Sequence, residues 1–391
     1  MKSTTSNHDR SIPLSEPVFS GNEWTYVKEC LDTGWVSSVG SFVDRFEQAV
    51  ATYLGVQYAV AVTNGTAALH LALLVLGVEP EDAVLVPTLT FIAPVNTVRY
   101  VGAHPVFFDC DPKTLCIDAA KVRAYLETEC ERRVDGYTYD RASGRKIRAM
   151  LPVHVFGHPA DMDAFVALGL HYNVRVIEDA TESLGSLYKG RKAGALGDIG
   201  CVSFNGNKII TTGGGGMLVT NNKVWADRVR HLSTQAKKDP LTYDHDAIGY
   251  NYRLTNVQSA IGVAQLEQLA GFVVRKRDIA ARYRALFAHV RAVELMTEQP
   301  WATSNQWLNT IMVEERHRDP LMAYVRSHGI EARPIWKLIH TLPMYRGDQT
   351  HSITEAPRLY AQCLNIPSSI SLEDRDIVRV VETIAQYYGA A

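Results

Sequence analysis

A chain of 391 residues is longer than one hydrophobic core usually fills, since single cores stop growing near roughly 250 to 300 residues, and it reads as about two domains. With 40 Lys+Arg against 42 Asp+Glu there is no net field to hold nucleic acid or an anionic membrane, so polyanion binding is not expected. The opening "MKSTTSNHDR" is polar, no stretch of roughly 18 uninterrupted apolar residues follows, and the six cysteines lack CxxC or zinc spacing; no export signal, membrane span or metal site is expected, and reduced, buried thiols fit a cytoplasmic protein.

In chain order, "FSGNEWTYVKECLDTGW" predicts a helix, with Ser20 and Glu23 at capping-box spacing and Trp24, Val27 and Leu31 on one face before Gly34. A second amphipathic helix, "SFVDRFEQAVATYLG", stops at Gly55. Then strands and helices alternate: "YAVAV", "TAALHLALLVLG", "AVLVP", "FIAPVNTVRYVG", "HPVFFDCD", "AMLPVHVFG", "DMDAFVALGLHYN", "VRVIEDA", "CVSFN". Short apolar strands separated by helices of ten or more residues imply crossovers, hence an α/β domain with a mostly parallel sheet covered on both faces. The polar "ERRVDGYTYDRASGRKIR" with its DG and SG turns predicts a surface hairpin inserted in that sheet. A long helical pattern from Thr255, weakly interrupted at Gly271, precedes a small α+β unit. The expected division is residues 12–248 for the large domain and 249–391 for the small C-terminal one.

Three features carry chemistry. Asp179, in "IEDATESLGS", closes a strand at the sheet edge where open α/β folds bind ligands, although a helix cap or a surface acid would look the same. Lys208, in "VSFNGNKIITTGGGGMLVT", lies beyond another strand, and a solvated loop cation is its plain alternative. Together they match the needs of a pyridine cofactor held by a lysine amine, with a carboxylate keeping its ring nitrogen protonated. A phosphate cradle is also present in "TNGTAALHLALL", where the N–H groups of Gly65 and Thr66 open a helix, with Ser203 as a further donor. Gly213 to Gly216 would permit positive φ and a tight return after the lysine. Neither a Walker loop nor a GxGxxG fingerprint fits these strings. His154 and His158, in "PVHVFGHP", fall in a predicted strand, so their spacing does not place them on one helical face as metal ligands; His154 remains a candidate neighbour of the cofactor.

These strings, with "GYNYRLTNVQSAIG", stand in the order and spacing of the DegT/StrS family of pyridoxal-phosphate sugar aminotransferases, which the chain resembles from about Ile12 to its C-terminal helix. The resemblance implies the type I, aspartate aminotransferase-like fold. It implies Lys208 as the Schiff-base lysine, Asp179 as the ring-nitrogen partner, and Ser203, Gly65 and Thr66 as phosphate contacts. Phe91 would stack on the ring, Glu182 would lie beside the cofactor, and Asn251 would reach the phosphate of the neighbouring subunit, which implies a homodimer with shared sites.

The N-terminal helices, the inserted hairpin, "HDAIGYNYR" and "GIEARPIWKLIH" further resemble aminotransferases of UDP-linked 4-keto-6-deoxy-N-acetylhexosamines, with Arg333, Trp336 and His340 toward the sugar nucleotide. The expected reaction is amination of the C4 ketone of such a sugar, with L-glutamate as donor. Alternatives are a GDP- or dTDP-linked ketosugar, a sugar dehydratase of the same fold, in which histidine replaces the lysine, a nucleotide-binding regulator, and a homologue without turnover.

Overall fold

The computed structural model describes residues 11–239 and 241–389; the polar opening segment read above for an export signal lies outside them. Two helices come first, α1 (Glu23–Thr33) and α2 (Ser41–Leu54), each ended by a glycine in the left-handed region, Gly34 and Gly55. The alternation then follows the sequence pattern: β1 (Tyr58–Val62), α3 (Gly65–Val75), β2 (Ala83–Pro87), α4 (Ala93–Tyr100), β3 (His104–Phe108) and α5 (Ala119–Thr128). The insertion forms an antiparallel hairpin, β4 (Cys130–Arg132) and β5 (Thr138–Asp140), before β6 (Ile147–Met150) returns to the sheet. After α6 (Met162–Tyr172) and β7 (Arg175–Asp179) come the short β8 (Leu187–Tyr188) and β9 (Arg191–Lys192), then β10 (Ile199–Ser203), β11 (Gly216–Thr220) and α7 (Lys223–Ser233).

The main sheet runs β1-β11-β10-β7-β6-β2-β3 and is parallel from β10 to β3, with β11 antiparallel to both of its neighbours. Strands β2, β10 and β11 are buried along their whole length, which is why they read as continuous apolar runs rather than alternating ones. The register opposes Ser203 and Val62 to Gly216 from the two sides, and Cys201 to Asp179. The loops that follow β1, β10 and β7 therefore open at neighbouring points of one sheet edge.

After β12 (Lys237–Asp239) and β13 (Asp244–His245), a single helix α8 (Asn256–Phe287) spans 32 residues. Gly271 does not interrupt it. Its first half packs on α1 and α2 through Ala260, Val263 and Leu269, and its second half carries Ile279, Tyr283 and Phe287 into a separate core. That core is completed by β14 (Glu294–Leu295), β16 (Asn309–Met312), α9 (Glu315–Ser327), β17 (Arg333–Pro334), β19 (Cys363–Ile366) and α11 (Asp374–Gly389), with β14, β16, β19 and β17 forming a second sheet. Between these elements, β15 (Ala302–Thr303) pairs with β8, β18 (Thr350–His351) extends the main sheet beside β3, and α10 (Glu355–Gln362) leads into β19. Ile12 is buried in the second core.

Four local expectations are corrected. Ser20 does not cap α1: its hydroxyl donates to Gln268 Oε1 (2.6 Å), Asn22 takes the cap position without a side-chain bond, and Glu23 is drawn under the helix by Gln265 and Gln268. Trp24 and Leu31 are exposed, and Glu23 and Cys30 are the residues that α1 buries. The end of "AMLPVHVFG" is a 3-10 turn, Val155–Gly157, not strand. Of the four glycines, Gly213 alone has positive φ (79°); Gly215 and Gly216 serve close approach, since a Cβ would lie 2.2 Å from Thr212 Oγ1 in one case and 2.4 Å from the Asn64 backbone in the other.

One buried cation in α8 has no carboxylate. Lys276 Nζ donates to the carbonyls of Trp307 (2.9 Å) and Ser368 (2.7 Å), and burial pushes its pKa down to about 7. Unfolding restores an ordinary amine, so between about pH 7 and 10 the unfolded chain binds a proton that the native one does not, and stability rises with pH. The unfolding free energy of the parent relative to Lys276→Met should therefore grow with pH across that window, by up to about 1.4 kcal/mol per unit, as read by urea unfolding. A difference that is flat in pH would show that Lys276 stays charged in the native protein across that window.

Candidate active site

A cavity of about 390 Å³ opens at the sheet edge defined by this register, and Gly65, Thr66, Phe91, Asp179, Glu182, Ser203, Lys208, Arg333 and Trp336 all line it. One end of it is formed by the start of α3. Asn64 accepts from Ala67 N through its side chain (2.8 Å) and from Ala68 N through its carbonyl (3.2 Å), which leaves the N–H groups of Gly65 and Thr66 without intrahelical partners. Ser203 stands directly opposite: a Cβ on Gly65 would be 3.0 Å from Ser203 Cβ and 3.1 Å from Thr181 Cγ2. The glycine therefore keeps this corner open to a ligand.

Asp179, the last residue of β7, is buried, and its Oδ1 accepts from Thr181 N (3.0 Å). Burial raises its pKa against the opposing pull of Thr181 and of the Lys208 charge. Such a carboxylate gains from a protonated nitrogen brought to it by a ligand.

The turn from β10 to β11 carries the Lys208 amine into the cavity. Nζ lies 3.3 Å from Glu182 Oε1 and 4.1 Å from the centre of the Trp307 ring, and the side chain is 13% exposed. Glu182 Oε2 accepts from Phe156 N (2.9 Å). To present that N–H, Phe156 adopts φ 53°, ψ 21°, a left-handed conformation that costs a bulky residue of order 1–3 kcal/mol. Burial pushes the Glu182 pKa up to about 7, with the Lys208 charge and the Phe156 N–H opposing it.

Along the wall, the exposed Phe91 ring is 6.4 Å from Trp336, which packs on Phe156 at 4.5 Å. Arg333 stands exposed at the rim, paired loosely with Glu331 (3.8 Å). Two expected residues lie elsewhere. His340 is bound to Thr88 Oγ1 (2.5 Å), packs near Phe107 and does not line the cavity. Asn251 is exposed and bridged to Thr234, away from its own chain's cavity.

His154 is buried beside Asp179 and does not line the cavity. Its Nδ1 faces Ala160 N (3.0 Å) and its Nε2 is bonded to Glu178 Oε1 (2.8 Å). Glu178, fully buried, additionally accepts from Gly194, Leu196 and Gly197; burial alone would raise its pKa, and His154 with these N–H groups outweighs it and holds the pKa low. Trp307 was missed in the sequence. It lies about 100 residues from Lys208, on a segment without any local motif, and only the packing of the C-terminal region against the sheet brings it there.

The sequence model described as the DegT/DnrJ/EryC1/StrS aminotransferase family matches residues 19–385. GDP-perosamine synthase of Escherichia coli O157:H7 is 41% identical over 380 residues, covering 97% of this chain and 99% of its own. EpsN of Bacillus subtilis, described as a pyridoxal phosphate-dependent aminotransferase, is 37% identical over 386 residues, covering 97% and 96%. Among solved structures, the aminotransferase TlmJ from Streptoalloteichus hindustanus superposes with a TM-score of 0.88 at 28% identity, covering 97% of this chain and 100% of that one.

The Lys208–Glu182 contact predicts a coupled titration. In the cofactor-free protein, Lys208→Ala removes the cation that holds the Glu182 pKa down, so its midpoint should move above about 7, as followed by the carboxyl stretch of isotope-labelled glutamate. A midpoint that stays or falls would place the amine away from Glu182 in solution.

Proposed function

We propose how this chain, which belongs to the DegT/DnrJ/EryC1/StrS aminotransferase family and is a pyridoxal-phosphate-dependent sugar nucleotide aminotransferase, uses its cavity: it converts the C4 ketone of a GDP-linked 4-keto-6-deoxysugar to an amine, with L-glutamate as donor. The carrying observation is the convergence of an α3 N-terminus, a buried acid at Asp179 and the Lys208 amine on one cavity.

Pyridoxal phosphate fits these residues. Gly65, Thr66 and Ser203 would hold its phosphate, Asp179 its ring nitrogen, Phe91 a ring face, and Glu182 would lie beside it, with Lys208 as the residue bonded to it. When bound, the cofactor supplies an electron sink for the charge left on the donor's Cα. With the cofactor in place, Lys208 Nζ would take the proton from the donor's Cα and would later deliver one to the sugar's C4. Asp179 stays ionised against the ring nitrogen, a state its burial would disfavour without that partner. Glu182 and Trp307 both contact the amine, the carboxylate at 3.3 Å and the ring centre at 4.1 Å.

The support for a GDP-linked sugar is the name of the Escherichia coli relative, which outweighs the UDP-linked N-acetylhexosamine expected from the N-terminal and "GIEARPIWKLIH" strings. Arg333 and Trp336 remain the proposed sugar nucleotide contacts, and the division into residues 12–248 and 249–391 is kept as part of the proposal. Asn251 is proposed to serve the neighbouring subunit's phosphate, making the active unit a homodimer. Exposed Phe19, Trp24, Leu31 and Trp35 supply an apolar surface for that contact. Among the described residues no helix is long and apolar enough to cross a membrane.

The decisive experiment incubates the enzyme with glutamate and GDP-, UDP- and dTDP-4-ketosugars and identifies the aminated product by mass spectrometry and NMR. kcat/KM for the GDP-sugar should exceed that for the others by about tenfold to a hundredfold, since mismatched buried donors cost about 1 to 3 kcal/mol each. A preferred UDP-sugar would reverse the nucleotide assignment, and Lys208→Ala with parental turnover would end the aminotransferase roles given above. Mixing Lys208→Ala with Asn251→Ala subunits should restore activity in heterodimers, where one site carries both defects and the other neither. A fully active monomer at high dilution would remove the shared site.

A further inference from the structure

Trp307 holds the lysine at more than one point. Its buried indole carries the Lys208 amine on one face, 4.1 Å from the ring centre, and its Nε1–H donates to the carbonyl of Asn207, the residue before Lys208 (2.8 Å). The tryptophan is itself fixed through its backbone: Trp307 N donates to Asn305 Oδ1 (2.9 Å), and its carbonyl accepts from Lys276 (2.9 Å). Asn305 Nδ2 donates to the carbonyls of Glu182 and Leu184 (2.9 Å each). One short segment, residues 305–307, thus grips the chain on both sides of the Lys208–Glu182 pair.

A lysine on a tight turn has a flexible four-carbon stem and nothing of its own to orient its amine. Glu182 attracts it at 3.3 Å, and an amine drawn fully onto that carboxylate would be held there rather than free to reach a bound ligand. The Trp307 ring holds the amine at a second point, 4.1 Å from its centre, through a cation–π contact that gains strength with desolvation. We propose that Trp307 is a positioning residue for Lys208, balancing Glu182 so that the amine stays directed into the cavity, and that Lys276 sets its place from α8. The inference rests on Lys208 being the residue that bonds the cofactor.

The test compares the parent with Trp307→Phe, which keeps a ring face and loses the Nε1–H, and Trp307→Leu, which loses both. The rate at which cofactor-free protein captures pyridoxal phosphate is followed by absorbance, and kcat and KM of the glutamate half-reaction are measured beside the thermal midpoint. Trp307→Leu should slow capture and lower kcat by about tenfold or more, with KM for glutamate changed by less than about threefold, and Trp307→Phe should recover most of both. Parental capture and kcat in Trp307→Leu would overturn the proposal, as would losses that only match the fraction unfolded. Should Trp307→Leu fail to fold, Trp307→Met, which also lacks both the ring face and the Nε1–H, takes its place: capture slowed about tenfold supports the proposal, and a parental rate overturns it. Capture by the parent that survives Lys208→Ala would instead refute the reading of Lys208 on which the inference rests.

Discussion

The approach of Gly216 to the backbone of Asn64, so close that a Cβ would lie 2.4 Å from its carbonyl, is the constraint on which the cavity depends. It lets β11 enter antiparallel between β1 and β10 with Val62 and Ser203 both opposite Gly216. The start of α3, the Ser203 hydroxyl and the turn carrying Lys208 meet there because of that register. A side chain at Gly216 would push the α3 end of the cavity away from its lysine end, and the distance between those ends is what a phosphate-bearing cofactor must match.

Around this frame the buried charges are handled in different ways. Glu178 is satisfied outright by His154 and three backbone N–H groups, and so forms a structural brace immediately before Asp179. Asp179 and Glu182 are not satisfied in that way: burial lifts both pKa values, and their relief comes from Lys208 and, in the proposed mechanism, from the cofactor. The strained backbone of Phe156 sits between the two sets, giving its N–H to Glu182 and its ring to Trp336. Strain of that kind persists where packing over-determines a conformation, and it links the wall proposed for the sugar to the residues proposed for proton transfer.

The sequence alone determined the alternation of strands and helices, the sheet edge at which Asp179 and Lys208 emerge, and the Gly65–Thr66 cradle, because each is written in contiguous residues: apolar runs of strand length, a glycine before a helix, a lysine before a glycine run. Its resemblance to a known family rested on the same contiguous strings. Tertiary structure decided the rest. Glu182, read from its place beside Asp179, acquires its partner only when the β10–β11 turn folds over it, and Trp307 joins the site from about 100 residues away with no motif to announce it. His340, close in sequence to Trp336, is turned away by a hydrogen bond to Thr88, a contact between residues 252 positions apart. Ser20 and Glu23 have capping-box spacing yet do not cap, because α8 offers Gln265 and Gln268 as stronger partners. Local spacing fixes what a segment can do by itself; which of two available hydrogen-bond partners a side chain takes depends on the element packed against it, and that element is set by the whole chain.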